Sequence, residues 1–190
     1  MRRLHHADIQ QARLSEAEAA SPENRFPLIA ILDNIRSMYN VGSIFRTSDG
    51  VRIEAIYTVG YTPHPPRKEI EKTALDATRT VPHKHFKTMA EAIAEAKQQG
   101  FHIAALELTN TTRSIYQLKD EDFPLALLIG NEITGVSDEA LAECEFSLSI
   151  PMLGAKHSLN VSVAYGVAVF ECLRVFESTL DKFRPATTIA

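Results

Sequence analysis

Residues 150–164 read IPMLGAKHSLNVSVA, and this stretch decides the fold of the chain. It starts at the end of a short apolar run, FSLSI at 146–150, which predicts a strand. A polar loop with a proline and a glycine follows. A long apolar helix then begins near Ser158 or Asn160, both good helix-capping residues, and runs to about Ser178. A strand, a polar loop and a helix in this order are typical of a parallel α/β sheet.

The same alternation extends from this stretch toward the amino terminus. Four further apolar runs predict strands, namely PLIAILD at 27–33, IEAIYTVG at 53–60, FHIAALEL at 101–108 and PLALLIG at 124–130. Helices are predicted over 41–49 with Asn40 as the cap and Gly50 as the stop, from the Thr88 capping box to Gly100, and after Ser137. Residues 61–87 show no clear period. The sequence therefore predicts an α/β fold with a mainly parallel sheet flanked by helices.

The composition is that of one soluble globular domain. The chain has 190 residues, of which 45% are hydrophobic and 23% charged, and its net charge of -4 argues against a histone-like binder. No apolar run approaches the roughly 20 residues that span a bilayer, and the polar amino terminus lacks the apolar core of a secretory signal. We therefore expect a cytoplasmic protein with no membrane segment. In that reducing compartment, Cys144 and Cys172 are expected to be buried thiols.

The chain divides just before the first predicted strand. Residues 1–26 are expected to form an N-terminal arm or helix, 27–180 the folded domain and 181–190 a short tail. Because the arm is polar and nearly neutral in charge, a solvated surface helix over 8–20 is favoured over a binding arm.

Several common ligand-binding motifs are absent. There is no GxGxxG after the first strand, no GxxxxGK[ST] and no GxSxG, which argues against a dinucleotide site, a phosphate-binding P-loop and a nucleophile elbow. The seven histidines fall at no zinc-ligand spacing with cysteine, so no metal site is predicted. We interpret His83 and His85 as part of a solvated loop and not as a metal-binding pair.

Three other segments contain the residues that suggest chemistry. NVGSIFRT at 40–47 follows the first predicted strand, LIGNEITGVS at 128–137 ends the fourth, and IPMLGAKHSLNVSVA ends the fifth. Caps, turns or surface ion pairs could explain any one of them alone. Ligands of parallel α/β sheets bind beyond the carboxyl ends of the strands, so three such segments at strand ends predict a single site.

These segments resemble the three signature motifs of the SpoU/TrmH family of RNA ribose 2′-O-methyltransferases, within the SPOUT superfamily. The resemblance covers residues 27–175, and IPMLGAKHSLNVSVA is its most specific part. It implies S-adenosylmethionine as the methyl donor, an RNA substrate and a homodimer. It also implies a C-terminal trefoil knot, which the periodicity of the sequence could not indicate.

The resemblance also implies roles for individual residues. The positions that match its catalytic residues are Asn40, Arg46, Glu132, Ser158 and Asn160. The positions that match its donor-binding residues are Leu106, Gly130, Ile150, Met152 and Leu159, with Gly154 supporting the loop. Because the pKa of a guanidinium lies above about 12, we interpret Arg46 as an electrostatic activator of the ribose hydroxyl and not as the base that takes its proton.

The RNA target is the least specified part of this prediction. A weak phosphate contact is predicted in the locally basic stretch 61–87, at Arg67, Lys68, Lys72, Arg79 and Lys84. A solvated loop explains that stretch equally well. With no appended RNA-reading domain, a compact folded RNA is expected, with tRNA favoured over rRNA. The alternative is a non-catalytic RNA-binding relative with the same fold, which we disfavour because all five catalytic positions are retained.

Overall fold

Seven parallel strands form a single sheet in the computed structural model, which describes residues 14–23 and 25–177. The strands are β1 (Phe26–Asp33), β2 (Ile53–Val59), β3 (His83–Phe86), β4 (His102–Leu106), β5 (Arg113–Ser114), β6 (Leu125–Ile129) and β7 (Phe146–Ser149). Their order across the sheet is β3-β2-β1-β6-β4-β7-β5, and every neighbouring pair is parallel. The α-helices are α1 (Glu16–Ala20), α2 (Met38–Val51), α3 (Lys68–Ala74), α4 (Met89–Gln98), α5 (Asp138–Ala142) and α6 (Val161–Glu177). The predicted α/β class with a mainly parallel sheet is confirmed.

Both faces of the central strands are buried, which explains why these strands are continuous apolar runs. In β1, Leu28, Ala30 and Leu32 pack in one layer with α2, α3 and α6. Ile29 and Ile31 point to the opposite face and pack in a second layer with α4 and α5. The first layer places α2 directly against α6, so the helix that contains the first segment and the helix that begins in the third segment are neighbours.

Two strands and one helix lie outside the predicted elements. β3 is an edge strand in which His83, Lys84 and His85 are exposed, so no apolar run marks it. β5 has only two residues and forms the opposite edge. The interpretation of His83 and His85 as part of a loop is therefore wrong, because both pair with β2. The short helix α3 also falls in the stretch that shows no clear period.

The start and the end of α2 differ from the predicted ones. The hydroxyl of Ser37 accepts the backbone N–H of Asn40 at 3.3 Å, so Ser37 is the cap and Asn40 lies inside the first turn. At the other end, Arg52 adopts φ 54° and terminates the helix, which runs through Gly50. The side chain of Asn40 is thus not used as a helix cap and can bond elsewhere.

The other predicted helix starts agree better with the structure. Thr88 caps α4, and the reciprocal bonds of the capping box with Glu91 are present. For α6, the side-chain oxygen of Asn160 accepts the backbone N–H of Ser162 at 3.0 Å, so Asn160 and not Ser158 caps this helix. The predicted end at Ser178 lies outside the described residues.

Only the last part of the predicted N-terminal helix falls within the described residues. Of the predicted helix 8–20, residues 8–13 lie outside the described residues, and α1 forms the last part. The buried guanidinium of Arg25 donates hydrogen bonds of 3.0–3.2 Å to carbonyls in α1, in β2 and just before β3. These bonds hold α1 against the sheet. The predicted tail, 181–190, also lies outside the described residues.

Both cysteines lie within the described ranges, 14–23 and 25–177. Cys172 is buried and Cys144 is half-buried, and burial raises the pKa of Cys172 to about 12 and that of Cys144 to about 11. Both thiols are therefore protonated at neutral pH. In this part of the chain no helix is long and apolar enough to cross a membrane. No three His, Cys, Asp or Glu side chains of the same residues are grouped so that they could hold a metal ion.

Candidate functional site

A cavity of about 520 Å³ lies beyond the carboxyl ends of β4, β6 and β7. This is the edge at which ligands of parallel α/β sheets bind. The loops that follow these three strands form its walls. Of the six predicted donor-binding residues, the five that line it are Leu106, Gly130, Ile150, Met152 and Leu159. Gly154 lies in the same loop as Met152 but is exposed and does not line the cavity.

The loop after β6 closes on itself in the wall of the cavity. The backbone N–H of Asn131 donates to the carbonyl of Gly135 at 3.0 Å, and the N–H of Gly135 donates to the carbonyl of Asn131 at 3.0 Å. Gly135 has φ 69°, in the left-handed region that favours glycine. A Cβ on Gly130 would collide with the backbone of Gly135 and Val136. Both glycines are therefore required for the loop to close.

Glu107 is a cavity residue that the sequence analysis did not single out. Its Oε2 accepts the backbone N–H of Val136 at 3.1 Å, and its Oε1 accepts the N–H of Leu108 at 2.9 Å. The carboxylate thereby holds the loop after β6 against the end of β4. The sequence feature that could have indicated Glu107 is a single charged residue between two leucines at the end of a predicted strand.

Hydrogen bonds at the rim of the cavity connect one residue from each of the three segments. The Nδ2 of Asn40 donates to Oε1 of Glu132 at 2.9 Å, and the Nδ2 of Asn160 donates to Oδ1 of Asn40 at 3.3 Å. We call Asn40, Glu132 and Asn160 the rim network. Asn40 and Asn160 are separated by 120 positions in the sequence, so only the fold brings them together.

Asn40 is the middle member of the rim network, and Glu132 connects the network to the backbone before α2. Besides Asn40, its carboxylate accepts the backbone N–H groups of Arg36 at 2.9 Å and Ser37 at 3.1 Å. Burial alone would raise the pKa of Glu132, but the hydrogen bonds from Arg36, Asn40 and Ser37 outweigh it and hold the pKa below its ordinary value. Glu132 is therefore ionised at neutral pH and fastens the start of α2 to the loop after β6.

The structure does not bring all five predicted catalytic residues together. Arg46 lies on the exposed side of α2 and makes no hydrogen bond or ion pair with any residue in the described ranges. Ser158 lines the cavity and makes no hydrogen bond to the rim network. The rim network is thus a fixed unit, whereas the Arg46 guanidinium keeps its donors available for a ligand.

A buried hydrogen bond holds α2 against α6. The hydroxyl oxygens of Ser48 and Tyr165 are 2.7 Å apart, and both side chains are fully buried. Burial raises the pKa of Tyr165, which keeps its hydroxyl neutral. Because α2 carries Asn40 and α6 begins after Asn160, this bond helps to set the distance between the two amides of the rim network.

We expect Tyr165→Phe to lower the free energy of unfolding by about 1–2 kcal/mol, because the Ser48 hydroxyl loses this partner in a buried place. Unfolding in urea measures the effect. Tyr116→Phe is the control, since Tyr116 is 62% exposed and should tolerate the loss of its hydroxyl. An unchanged unfolding midpoint for Tyr165→Phe would contradict this role.

The predicted RNA-contact residues fall into two groups. Arg67, Lys68 and Lys72 are exposed on or beside α3, which packs against the start of α2. Arg79 and Lys84 are paired with carboxylates at 3.8 Å and 3.1 Å respectively. Arg67, Lys68 and Lys72, three of the five predicted residues, thus lie on or beside the helix that packs against the end of α2 where Asn40 is.

The sequence and the fold are similar to those of known proteins. Residues 27–170 match the model of the SpoU rRNA Methylase family. A putative TrmH family tRNA/rRNA methyltransferase from Staphylococcus haemolyticus (strain JCSC1435) is 32% identical over 146 residues, which cover 77% of this chain and 58% of the relative. The chain thus spans little more than half the length of that relative.

Two crystal structures are similar to this fold. One is a TrmH/SpoU tRNA modifying enzyme from A. aeolicus, with a TM-score of 0.78, 27% identity and coverage of 96% of this chain and 91% of that chain. The other is an AdoMet-bound rRNA methyltransferase from Sinorhizobium meliloti, with a TM-score of 0.74, 26% identity and coverage of 82% and 59%.

Proposed function

The chain belongs to the SpoU rRNA Methylase family, and on this premise we propose that it methylates a ribose 2′-hydroxyl of a structured RNA with S-adenosylmethionine as the donor. The observation that carries the proposal is the position of the rim network beside the cavity, with Glu132 belonging to both. Methyl transfer of this kind requires the donor and the ribose oxygen to be held side by side. One cavity with a fixed polar rim supports that arrangement.

The cavity fits S-adenosylmethionine in size and in lining. Its volume of about 520 Å³ lies in the range of sites for small organic ligands. Leu106, Ile150, Met152 and Leu159 offer apolar surface to an adenine ring, and the carboxylate of Glu107 suits a cationic ligand. When bound, S-adenosylmethionine supplies a methyl group that is already activated on a sulfonium.

The residues of the chain then position and activate the ribose. Arg46 stabilises the negative charge that develops on the 2′-oxygen and on the neighbouring phosphate. Its guanidinium keeps its own proton, so the hydroxyl proton leaves to another acceptor. Asn40 and Asn160 orient the ribose by hydrogen bonds, with Ser158 assisting from the cavity wall. Glu132 acts through Asn40 and is a positioning residue.

Transfer of a labelled methyl group tests the proposal. Total RNA from a strain that lacks this gene is incubated with the protein and labelled S-adenosylmethionine, and the RNA is digested to nucleosides. We expect label in 2′-O-methylated nucleosides, and binding of the donor and of S-adenosylhomocysteine by calorimetry. RNA binding without methyl transfer would favour the non-catalytic relative. Label on a base instead of a ribose would contradict the proposed position.

Within this activity we propose tRNA in preference to rRNA, and a cytoplasmic location with that substrate. The exposed cations on and beside α3 suit a compact folded RNA that offers phosphates and shape. Ribose methylation is mapped across total RNA from the deletion strain and its parent. A lost site in rRNA with every tRNA site intact would overturn the preference.

We also propose that the protein is a homodimer that pairs through α6. Val163, Val167 and Phe170 recur at helical spacing and are 52%, 38% and 53% exposed. A stripe of large apolar side chains on the outside of a helix is typical of an interface with a partner. In a dimer with twofold symmetry, the same stripe on a second copy buries these side chains.

Phe170→Glu is expected to convert the dimer to a monomer, because a carboxylate at a buried interface has no partner there. Light scattering at micromolar concentration measures the mass. Leu75→Glu is the control, since Leu75 is 59% exposed and follows α3, not α6. A monomeric mass for the unaltered protein would overturn the dimer.

A further inference from the structure

We propose that Tyr39 is a stacking platform for an unpaired base of the RNA, next to the ribose that is methylated. This inference rests on the proposed function and extends it to a contact that none of the three segments indicated. Tyr39 immediately precedes Asn40 in the first turn of α2, and it is 51% exposed. A large aromatic ring so close to the rim network is available to a ligand from the solvent side.

α3 contacts both the backbone and the ring of Tyr39. The hydroxyl of Thr73 donates to the backbone carbonyl of Tyr39 at 3.1 Å. α3 approaches so closely that a Cβ on Gly42 would collide with Thr73 and with the carbonyl of Ile70. The ammonium of Lys72 lies 5.8 Å from the centre of the Tyr39 ring, within the range of a cation–π contact. Tyr39 is therefore positioned before any ligand arrives.

The charge around Tyr39 suits a polyanion. Four exposed cations belong to these elements, namely Arg36 before α2, Arg67 at the start of α3, and Lys68 and Lys72 on α3. Two carboxylates share α3 with them. Glu71 is engaged by the hydroxyl of Thr78 at 2.7 Å, and Glu69 is exposed. The surface as a whole remains basic, whereas the chain as a whole has a net charge of -4.

An aromatic ring among cations is the arrangement with which proteins hold single-stranded nucleic acid. The cations contact phosphates, and the ring stacks on a base whatever its identity. Asn40, the next residue, is proposed to orient the ribose. A base that stacks on Tyr39 therefore belongs to the target nucleotide or its neighbour, where the RNA must be unstacked to expose its 2′-hydroxyl.

The first test compares RNA affinities. Filter binding uses the unmodified tRNA pool from the deletion strain, with the rRNA fraction as a second probe. Tyr39→Ala is expected to bind roughly tenfold more weakly, since loss of one stacking contact typically has an effect of this order. Tyr39→Phe keeps the ring and should bind like the unaltered protein. Tyr116→Ala is the matched control, because Tyr116 is 62% exposed, does not line the cavity and makes no bond to the rim network.

The second test separates stacking from charge by the salt dependence of binding. Tyr39→Ala should weaken binding without changing the slope of affinity against salt. Lys72→Gln should reduce that slope by about one, as expected for a lost phosphate contact. Lys119→Gln, also exposed, is the control and should leave the slope unchanged. A slope that changes with Tyr39→Ala would contradict stacking.

Calorimetry with S-adenosylmethionine on the same variants separates failure of this inference from failure of the proposed function. All variants are expected to bind the donor equally. If the unaltered protein methylates RNA but Tyr39→Ala binds RNA as Tyr116→Ala does, the inference is wrong and the proposed function stands. A loss of affinity for S-adenosylmethionine in Tyr39→Ala would show that Tyr39 has a structural role and does not stack on RNA. If the unaltered protein neither binds nor methylates RNA, both are overturned.

Discussion

Arg46→Ala is expected to slow methyl transfer by about 100- to 1,000-fold and to leave the affinity for S-adenosylmethionine unchanged. The magnitude is that of removing one donor that stabilises developing negative charge in a transition state. Arg46 does not line the cavity, and among the described residues it has no bonded partner whose position would change. Its loss therefore affects the reacting oxygen and not the donor. Single-turnover rates and calorimetry measure the two quantities separately.

Two further variants make this prediction specific. Arg46→Lys should recover little of the rate, because an ammonium lacks the planar fork that can contact the 2′-oxygen and a phosphate together. Arg79→Ala should keep a rate close to normal, since Arg79 belongs to the ion-paired group of basic residues. Donor affinity that falls in proportion to the rate would show that Arg46 is part of the donor site.

The central strands could be predicted from the sequence because they are buried on both faces. Every residue of β6 is buried, so the run is continuously apolar. It could be predicted as a strand without reference to the strands beside it. The edge strands could not be predicted, since β3 exposes three of its four residues. β5 is only two residues long and leaves no pattern at all. The trefoil knot stays a prediction of the family resemblance.

The candidate site could be predicted as a set of residues but not as an arrangement. Asn40 is of a residue type that favours helix caps, so the sequence predicts it as the cap of α2. In the structure Ser37 has that role, which leaves Asn40 to join Glu132. The partners in the rim network are 92 and 120 positions apart, so their pairing depends on tertiary structure. Glu107 was missed for the same reason, since its loop partner is 29 positions away.

Glu132→Gln is expected to slow methyl transfer by about 100-fold and to lower the free energy of unfolding by about 1–2 kcal/mol. An amide has one acceptor oxygen, so it cannot accept the N–H groups of Arg36, Ser37 and Asn40 together, and its own NH₂ opposes one of these donors. The start of α2 then shifts, and a displacement of about 1 Å at a reacting centre is enough for a rate loss of this size. Glu139→Gln, on the exposed side of α5, is the control and should change neither quantity.

The pH dependence of this stability difference follows from the lowered pKa of Glu132. A carboxyl whose pKa in the folded protein lies below its ordinary value of 4.5 contributes its full stabilisation above that value, and loses it as the pH falls through the folded pKa. The difference in unfolding free energy between the unaltered protein and Glu132→Gln should therefore be constant from about pH 8 to about pH 5. It should shrink below about pH 4, where the carboxyl binds a proton and resembles the amide. Urea unfolding across this range measures it, and a difference that already declines between about pH 7 and 6 would show that a group other than Glu132 controls the start of α2.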